Sequence, residues 1–169
     1  MPAYLLLIYG KVFRDKDLQE EIKPYEDING YLFIRDEDLK LPKPSGIIKT
    51  ASGDMHGKYI HRMVVFAFGD RLGRPYLQKG NDIVIDHCDM NHKNNSWDNL
   101  EQITSLRNLW RAWYLTKSKI CFARYAAERK RISELPDGNL IIEDFLIEKE
   151  NDIKMYLKTS INNRKENHD

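Results

Sequence analysis

The stretch that decides the fold is Ile83–Asn108, IVIDHCDMNHKNNSWDNLEQITSLRN. Three apolar residues typical of a strand open it, and Asp86 and His87 follow at once, so a carboxylate and an imidazole lie where a strand meets a loop. The loop offers almost nothing to bury, and its backbone must therefore find side-chain partners. Its polar residues are Asp89, Asn91, His92, Lys93, Asn94, Asn95, Ser96, Asp98 and Asn99.

A second strand and a helix complete this stretch. Residues 100–103 have the character of a short strand, and Thr104 is a suitable N-cap for a helix that begins at Ser105. Asn108 lies about one turn into that helix, on a face that can look back at Asp86. The predicted unit is strand, polar loop, strand and helix, with oxygen ligands and one histidine at its open end.

The segment before this stretch predicts a helix and a loop. Residues 61–68 are too apolar to be exposed, and their spacing favours a short buried helix that ends at Gly69 and packs behind the strand at Ile83. His61 is interpreted as a packed or capping histidine, with contact to the polar loop as the alternative. Residues 70–82 combine glycine and proline with basic side chains, which predicts a mobile basic loop.

The N-terminal third predicts small strands and hairpins. Residues 4–9 form an apolar run typical of a strand. Asn29-Gly30 and Ser52-Gly53 each lie between short β-prone runs, which indicates two β-hairpins. This region carries no catalytic signature of its own.

The chain after Asn108 is predicted to be helical. Apolar side chains recur at helical intervals from Leu106 to Tyr125, which favours one long amphipathic helix or a broken pair. A Pro-Asp-Gly turn follows at 136–138, and the periodicity returns over 140–161, with an apolar face that could dock on the core or form a dimer. We therefore predict an α+β fold with a β-rich arm over 1–57, a core over 58–116 and a helical region over 117–169.

Composition limits the class of protein. With 169 residues and 41% apolar content, the chain can bury one real core. Cys88 and Cys121 give neither a disulfide framework nor the paired spacing of a structural zinc site. No stretch approaches the roughly 20 apolar residues that cross a bilayer, and the first apolar run looks like a strand and not a signal peptide. We therefore expect an intracellular, cytoplasmic protein with no membrane contact.

The net charge of +1 hides a basic segment beside an acidic one. Residues 105–131 contain eight basic residues against one acid, and residues 132–152 contain seven acids against one lysine. A basic segment is typical of a surface that binds phosphate groups. The alternative interpretation is a solvated helix face balanced by its neighbour.

Taken together, residues of the central stretch and its flank resemble the HNH endonuclease motif of phage and intron-encoded homing endonucleases. The matching positions are His61–Val64, Val84–His87, Asp89–Asn91, Asn94, Asn95, Asp98–Leu100, Ile103, Thr104 and Asn108. An ordered set of this length is far more specific than a lone His and Asn pair. The resemblance implies a central ββα-metal fold and a DNA endonuclease that nicks or cuts double-stranded DNA, encoded by a phage or mobile element.

The resemblance also implies a role for each residue of the site. His87 is the expected general base, Asp86 and Asn108 the expected metal ligands, and Asn99 the residue that braces the loop. Family members often carry His at the position of Asn108, so this chain resembles the H-N-N branch. Independently of the family, these oxygen donors suit one Mg²⁺ or Mn²⁺ ion, and a neutral imidazole can accept a proton from water. With one carboxylate the site is weak until DNA completes the metal shell.

Contacts to DNA are predicted from the basic side chains. Those expected to bind phosphates are Lys93, Arg107, Arg111, Lys117 and Lys119. Bases would be contacted either by the two hairpins or by the helix after Ile120, and the sequence leaves both open. One active site cuts one strand, so a monomer is expected to nick and a homodimer to make a double-strand break.

Two other functions remain possible from the sequence. One is a DNA-binding regulatory or packaging protein that keeps the HNH scaffold without cutting, which the intact set of Asp86, His87 and Asn108 argues against. The other is an RNA-binding or structural interaction protein built on the helical half. His92 is predicted to face solvent, with a phosphate contact as the alternative.

Overall fold

The computed structural model describes residues 5–6, 9–14, 19–77 and 82–166. The chain forms two compact units, Met1–Ile103 and Thr104–Asp169. Strands dominate the first unit and helices the second, so the α+β class predicted from the sequence is confirmed.

The first unit is built from short strands and two helices. A four-stranded antiparallel sheet has the order β3-β4-β6-β5, while β1 pairs with β2 and β7 with β8 in separate two-stranded sheets. The elements are β1 Leu5–Leu6, β2 Val12–Phe13, β3 Tyr25–Glu26, β4 Leu32–Arg35, α1 Asp36–Leu39, β5 Ile47–Thr50, β6 Gly53–Tyr59, α2 Ile60–Phe68, β7 Ile83–His87 and β8 Leu100–Thr104. A single 3₁₀ turn, Trp97–Asn99, precedes β8.

Both predicted hairpins are present. The first joins β3 to β4 through Asn29 and Gly30, where Asp27 Oδ1 accepts hydrogen bonds of 2.8 Å from the backbone N–H groups of Asn29 and Tyr31. Gly30 has a φ of 85°, a conformation that glycine adopts without steric cost. The second hairpin joins β5 to β6, and both contribute strands to one sheet.

The core of the first unit lies between α2 and the strands. Val64 and Val65 of α2 pack with Ile34 and Leu100, and Ile85 of β7 lies against this cluster, as the sequence predicted. The expectation that the whole helix is buried was wrong, because Phe66 is 75% exposed. A short helix on a sheet buries only one face, and this side chain projects from the other.

The basic loop after α2 is anchored over its described part, residues 70–77, which corrects the prediction of a mobile loop. Asp70 is fully buried and accepts hydrogen bonds from Arg74 Nη2 at 2.6 Å and from the backbone N–H of Gln102 at 3.1 Å. Burial raises the pKa of Asp70, but these hydrogen bonds outweigh it and lower the pKa overall. Residues 78–81 of the predicted loop lie outside the described residues.

The second unit consists of α3 Ser105–Thr116, α4 Lys119–Ser133 and α5 Gly138–Glu166. Thr104 caps α3 as predicted, since its side chain accepts a hydrogen bond of 3.3 Å from the backbone N–H of Arg107. Of the two alternatives for residues 106–125, the broken pair is observed. Lys117 ends α3 in the left-handed conformation, and Ser118 caps α4.

The predicted region boundaries at 57/58 and 116/117 differ from the observed division after Ile103. Strand β6 runs through the first boundary, and Val12 of the N-terminal region shares a core with Val64 and Leu100. None of the helices in the described residues combines the length and apolar character that a bilayer crossing needs.

Candidate functional site

The end of strand β7 carries the two central residues of the predicted site. Asp86 is half-buried and His87, the last residue of the strand, is only 3% exposed. Nε2 of His87 lies 3.0 Å from Oδ1 of Asn95, which is also 3% exposed. The imidazole is therefore held by a side chain from the loop that follows the strand.

Aromatic rings surround His87 within the first unit. The ring centroids of Tyr31, His61 and His92 lie 5.7, 5.3 and 5.5 Å from that of His87. Tyr31 and His92 stack on each other with a centroid distance of 3.9 Å, and His92 Nδ1 lies 3.0 Å from the carbonyl oxygen of Asn29. His92 is therefore half-buried against the first hairpin, which corrects the prediction that it faces solvent.

Burial keeps both central histidines neutral. Desolvation is the main cause that lowers the pKa of His87, and the hydrogen bond to Asn95 opposes it only in part. His61 is buried beside it, as predicted, and its pKa is lowered to about 3. A neutral imidazole retains the lone pair that a general base needs.

Asn99 ties the two ends of the polar loop together. Its Oδ1 accepts a hydrogen bond of 3.0 Å from the backbone N–H of Asp89, and its Nδ2 donates to Asp89 Oδ1 and to the carbonyl oxygen of Asn94, both at 2.9 Å. These contacts supply the side-chain partners that a loop without a backbone ladder requires.

The carboxylate of Asp89 accepts hydrogen bonds from other residues of the polar loop. It accepts hydrogen bonds from the backbone N–H of Asn91 at 2.8 Å and from Asn94 Nδ2 at 2.7 Å, besides the one from Asn99. Burial raises the pKa of Asp89, but these donors outweigh it and lower the pKa overall. The side chain of Asp89 is thus part of the hydrogen-bond network of the loop.

Asn108 belongs to the second unit, where it is half-buried on α3. Its pairing with Asp86 stays a prediction. In the described part of the chain, no group of three or more His, Cys, Asp or Glu side chains could hold a metal ion. A site of one carboxylate and one amide does not need such a group, and its hard oxygen donors fit Mg²⁺ or Mn²⁺.

The predicted phosphate contacts divide into two groups. Arg107 and Arg111 both bind Asp152, with Nη2 to Oδ1 distances of 2.8 Å. The side chain of Arg111 is only 4% exposed, so its assignment as a DNA contact is corrected: it is part of the core of the second unit. Lys119 is exposed, and Lys117 Nζ lies 3.9 Å from the ring centroid of Tyr114.

Lys93 connects the polar loop to the first hairpin. Its Nζ lies 2.8 Å from Glu26 Oε2, and both side chains are about half exposed. An exposed ion pair of this kind is worth about 0–1 kcal/mol, so a phosphate group can displace Glu26 at little cost.

No protein-family model matches the chain. No curated protein matches its sequence. Among solved structures, the chain is similar to one described as DNA binding and cleavage by the HNH homing endonuclease I-HmuI, with a TM-score of 0.47 and 21% sequence identity. The similarity covers 76% of this chain and 62% of that chain, so this chain spans less than two thirds of that protein.

Sequence reasoning missed two residues of the site. Asn95 was predicted only as a polar residue of the loop and one position of the HNH resemblance, and Tyr31 was given no role, yet Asn95 bonds His87 and Tyr31 covers it. The adjacent Asn94 shows why: it does form loop hydrogen bonds, and nothing local distinguishes the two asparagines. Tyr31 reaches the site only through the packing of the hairpin, which the sequence pattern does not encode.

His61 makes the stability of the protein depend on pH. Its pKa is lowered from the ordinary value of 6.5 to about 3, first by burial and then by the charges of His87, Arg62 and His92. Below pH 6.5 the unfolded chain binds a proton that the folded chain excludes until about pH 3, so the free energy of unfolding falls through that window and is unaffected above it. At pH 5 His61 alone should lower it by about 2 kcal/mol relative to pH 7.

Urea unfolding at pH 7 and pH 5 checks this expectation. The His61→Asn variant should lose about 2 kcal/mol less than the wild type between the two pH values, because it removes this one proton linkage. Asn151→Ala is the control, since it changes an exposed neutral side chain and should leave the wild-type pH dependence intact. An unchanged pH dependence in His61→Asn would contradict the assignment.

Proposed function

We propose that this protein is a metal-dependent endonuclease of the HNH type that hydrolyses phosphodiester bonds in double-stranded DNA. The observation that carries the proposal is the end of β7, where a half-buried carboxylate, Asp86, precedes a neutral imidazole, His87. The loop beyond them is braced by Asn99. These residues stand at the positions that the HNH motif uses for metal binding, proton transfer and loop bracing.

The reaction follows from the chemistry of His87. Its imidazole accepts a proton from a water molecule, and the oxygen of that water forms a bond to phosphorus. The bond between phosphorus and the 3′ oxygen breaks, and the 3′ oxygen takes a proton from solvent. The products are a 5′-phosphate and a 3′-hydroxyl, and burial assists the step by keeping His87 unprotonated at neutral pH.

Asp86 and Asn108 would hold the divalent cation, Mg²⁺ or Mn²⁺. When bound, the ion would neutralise the negative charge that develops on the phosphate. One carboxylate gives weak binding of the ion alone, and DNA phosphate oxygens would complete the shell.

Lys93, Lys117 and Lys119 are the proposed phosphate contacts, since each is an exposed residue. Phosphate contacts position the duplex without distinguishing its sequence, so the bases must be contacted elsewhere. With one site per chain, a monomer would nick one strand and a homodimer would cut both. A phage or mobile element as the source, and action in the cytoplasm of the host cell, belong to the same proposal.

Cleavage of supercoiled plasmid tests the proposal. With Mg²⁺ or Mn²⁺ the protein should convert plasmid to the nicked or linear form, and a chelator should abolish the conversion. Asp86→Asn should be inactive, whereas Asp137→Asn, which changes an exposed carboxylate in the turn before α5, should be fully active. If the wild-type protein, like its variants, leaves the plasmid intact with both Mg²⁺ and Mn²⁺, the nuclease proposal is wrong.

A DNA-binding protein that does not cut is the second candidate. The observation that favours it is the cover over His87, which leaves the imidazole only 3% exposed. Retained duplex binding in gel-shift assays, with no nicking at any metal concentration, would support this candidate over the first.

A further inference from the structure

We infer that Asn95 is a positioning residue for the proposed reaction: its amide oxygen keeps the proton of His87 on Nε2 and so leaves Nδ1 as the nitrogen that accepts a proton from water. This inference deepens the proposed function and rests on it for its catalytic meaning. The position of the proton itself can be measured whether or not the protein cuts DNA.

The hydrogen bond between the two side chains fixes the tautomer. Oδ1 of an amide can only accept, so its contact of 3.0 Å with Nε2 of His87 requires a proton on that nitrogen. A neutral imidazole carries one proton, and Nδ1 therefore keeps its lone pair. Both side chains are 3% exposed, so the hydrogen bond is shielded from bulk water.

Gly10 fixes Asn95 from the other side. A Cβ atom built on Gly10 would lie 2.7 Å from Cβ of Asn95 and 3.0 Å from its carbonyl oxygen, closer than side chains tolerate. Gly10 also has a φ of 73°, which disfavours any other residue. The turn between β1 and β2 therefore packs directly on Asn95, at a distance that only glycine permits.

The rings of Tyr31, His61 and His92 pack around His87. Packed rings restrict rotation of the imidazole, but a ring packed against it does not select which nitrogen carries the proton. Among the contacts described here, that selection belongs to Asn95. Positioning of the base thus comes from a loop residue to which the sequence assigned no role of its own.

Nitrogen-15 NMR of the full chain, labelled at histidine and free of metal and DNA, tests the inference. At pH 8 the His87 signals, assigned by their loss in His87→Gln, should show a protonated Nε2 and an unprotonated Nδ1. Asn95→Ala should give a mixture of both tautomers, whereas Asn95→Asp, which keeps an acceptor oxygen, should restore the wild-type pattern. A wild-type spectrum with the proton on Nδ1 overturns the inference, even if Asn95→Ala does not fold.

Gly10→Ala is a second variant that changes neither partner of the hydrogen bond. It should displace Asn95 and give an Nδ1-protonated fraction absent from the wild type. A pure Nε2-protonated spectrum in a folded Gly10→Ala protein would contradict the role of Gly10 in holding Asn95.

Measurement of DNA nicking tests the catalytic role of Asn95. Asn95→Ala should lower the single-turnover rate of nicking about 100-fold. A loss of this size is typical when a side chain that orients a catalytic group is removed, and it is smaller than the loss caused by a histidine held wholly in the wrong tautomer. The affinity for DNA should not change. Asn95→Asp should recover most of the rate, and Asn151→Ala, at an exposed position on α5, should match wild type. Wild-type nicking by Asn95→Ala overturns the positioning role and leaves the nuclease proposal standing. If wild type never nicks, the nuclease proposal fails while the NMR result still decides the tautomer.

Discussion

His87→Ala should lower the rate of plasmid nicking by about 1,000-fold, within the range that loss of a general base produces. The reason is that water must lose a proton as it attacks phosphorus, and His87 is the neutral base at the end of β7. The affinity for DNA should change little, because the proposed phosphate contacts come from other side chains. Gel-shift titration and single-turnover nicking, measured on the same preparation, separate the two quantities.

Two further variants separate the base from the packing around it. His87→Gln carries an amide that can still donate to Asn95 but has no basic lone pair, so it should be as inactive as His87→Ala while folding better. Asn151→Ala, at an exposed position on α5, should be fully active. Substantial nicking by His87→Gln would show that His87 is not the base.

Asp152→Ala should destabilise the second unit by about 3–5 kcal/mol, the usual cost of leaving a buried charge without its partner. Asp152 accepts hydrogen bonds from Arg107 Nε at 2.9 Å and Arg111 Nε at 3.0 Å, and it is 2% exposed. Burial raises the pKa of Asp152, but the two guanidinium groups outweigh it and lower the pKa overall. Without the carboxylate, Arg107 and Arg111 would lose these hydrogen bonds, and Arg111 would stay buried without the negative charge of Asp152.

Far-UV circular dichroism during urea unfolding measures this loss, because α3, α4 and α5 dominate the helical signal. Glu150→Ala is the matched control, because it breaks an ion pair with Lys154 in which the side chains of Glu150 and Lys154 are 68% and 69% exposed. It should lower the free energy of unfolding by less than about 1 kcal/mol. Equal destabilisation by the two variants would contradict the view that Arg111 belongs to the core of the second unit.

Local patterns predicted much of the secondary structure. The turn at Asn29-Gly30, the cap at Thr104 and the stop at Gly69 each depend on the chemistry of a few neighbouring residues, and each was found where expected. The choice between one long helix and a broken pair was not settled by periodicity, because both place apolar residues at the same intervals. Backbone conformation at Lys117 and a cap at Ser118 settled it.

Charge counting was a weaker guide than periodicity. A run of basic residues over 105–131 predicted phosphate contacts, yet Arg111 lies 41 positions from the Asp152 that neutralises it. Asp152, from the acidic segment 132–152, is therefore the partner of Arg111 in a buried ion pair. A sequence pattern records which charges are present and not which of them meet in the core.

The sequence by itself determined the order of strand, polar loop, strand and helix and the residue types at its open end, because these depend on local propensity and on side-chain chemistry. Tertiary structure alone decided how the site is held. Gly10 packs on Asn95, Asn95 bonds His87, and Tyr31 covers it from another hairpin. Two of these contacts, Gly10 to Asn95 and Tyr31 to His87, join residues far apart in the chain, and only the burial of several elements together brings them close.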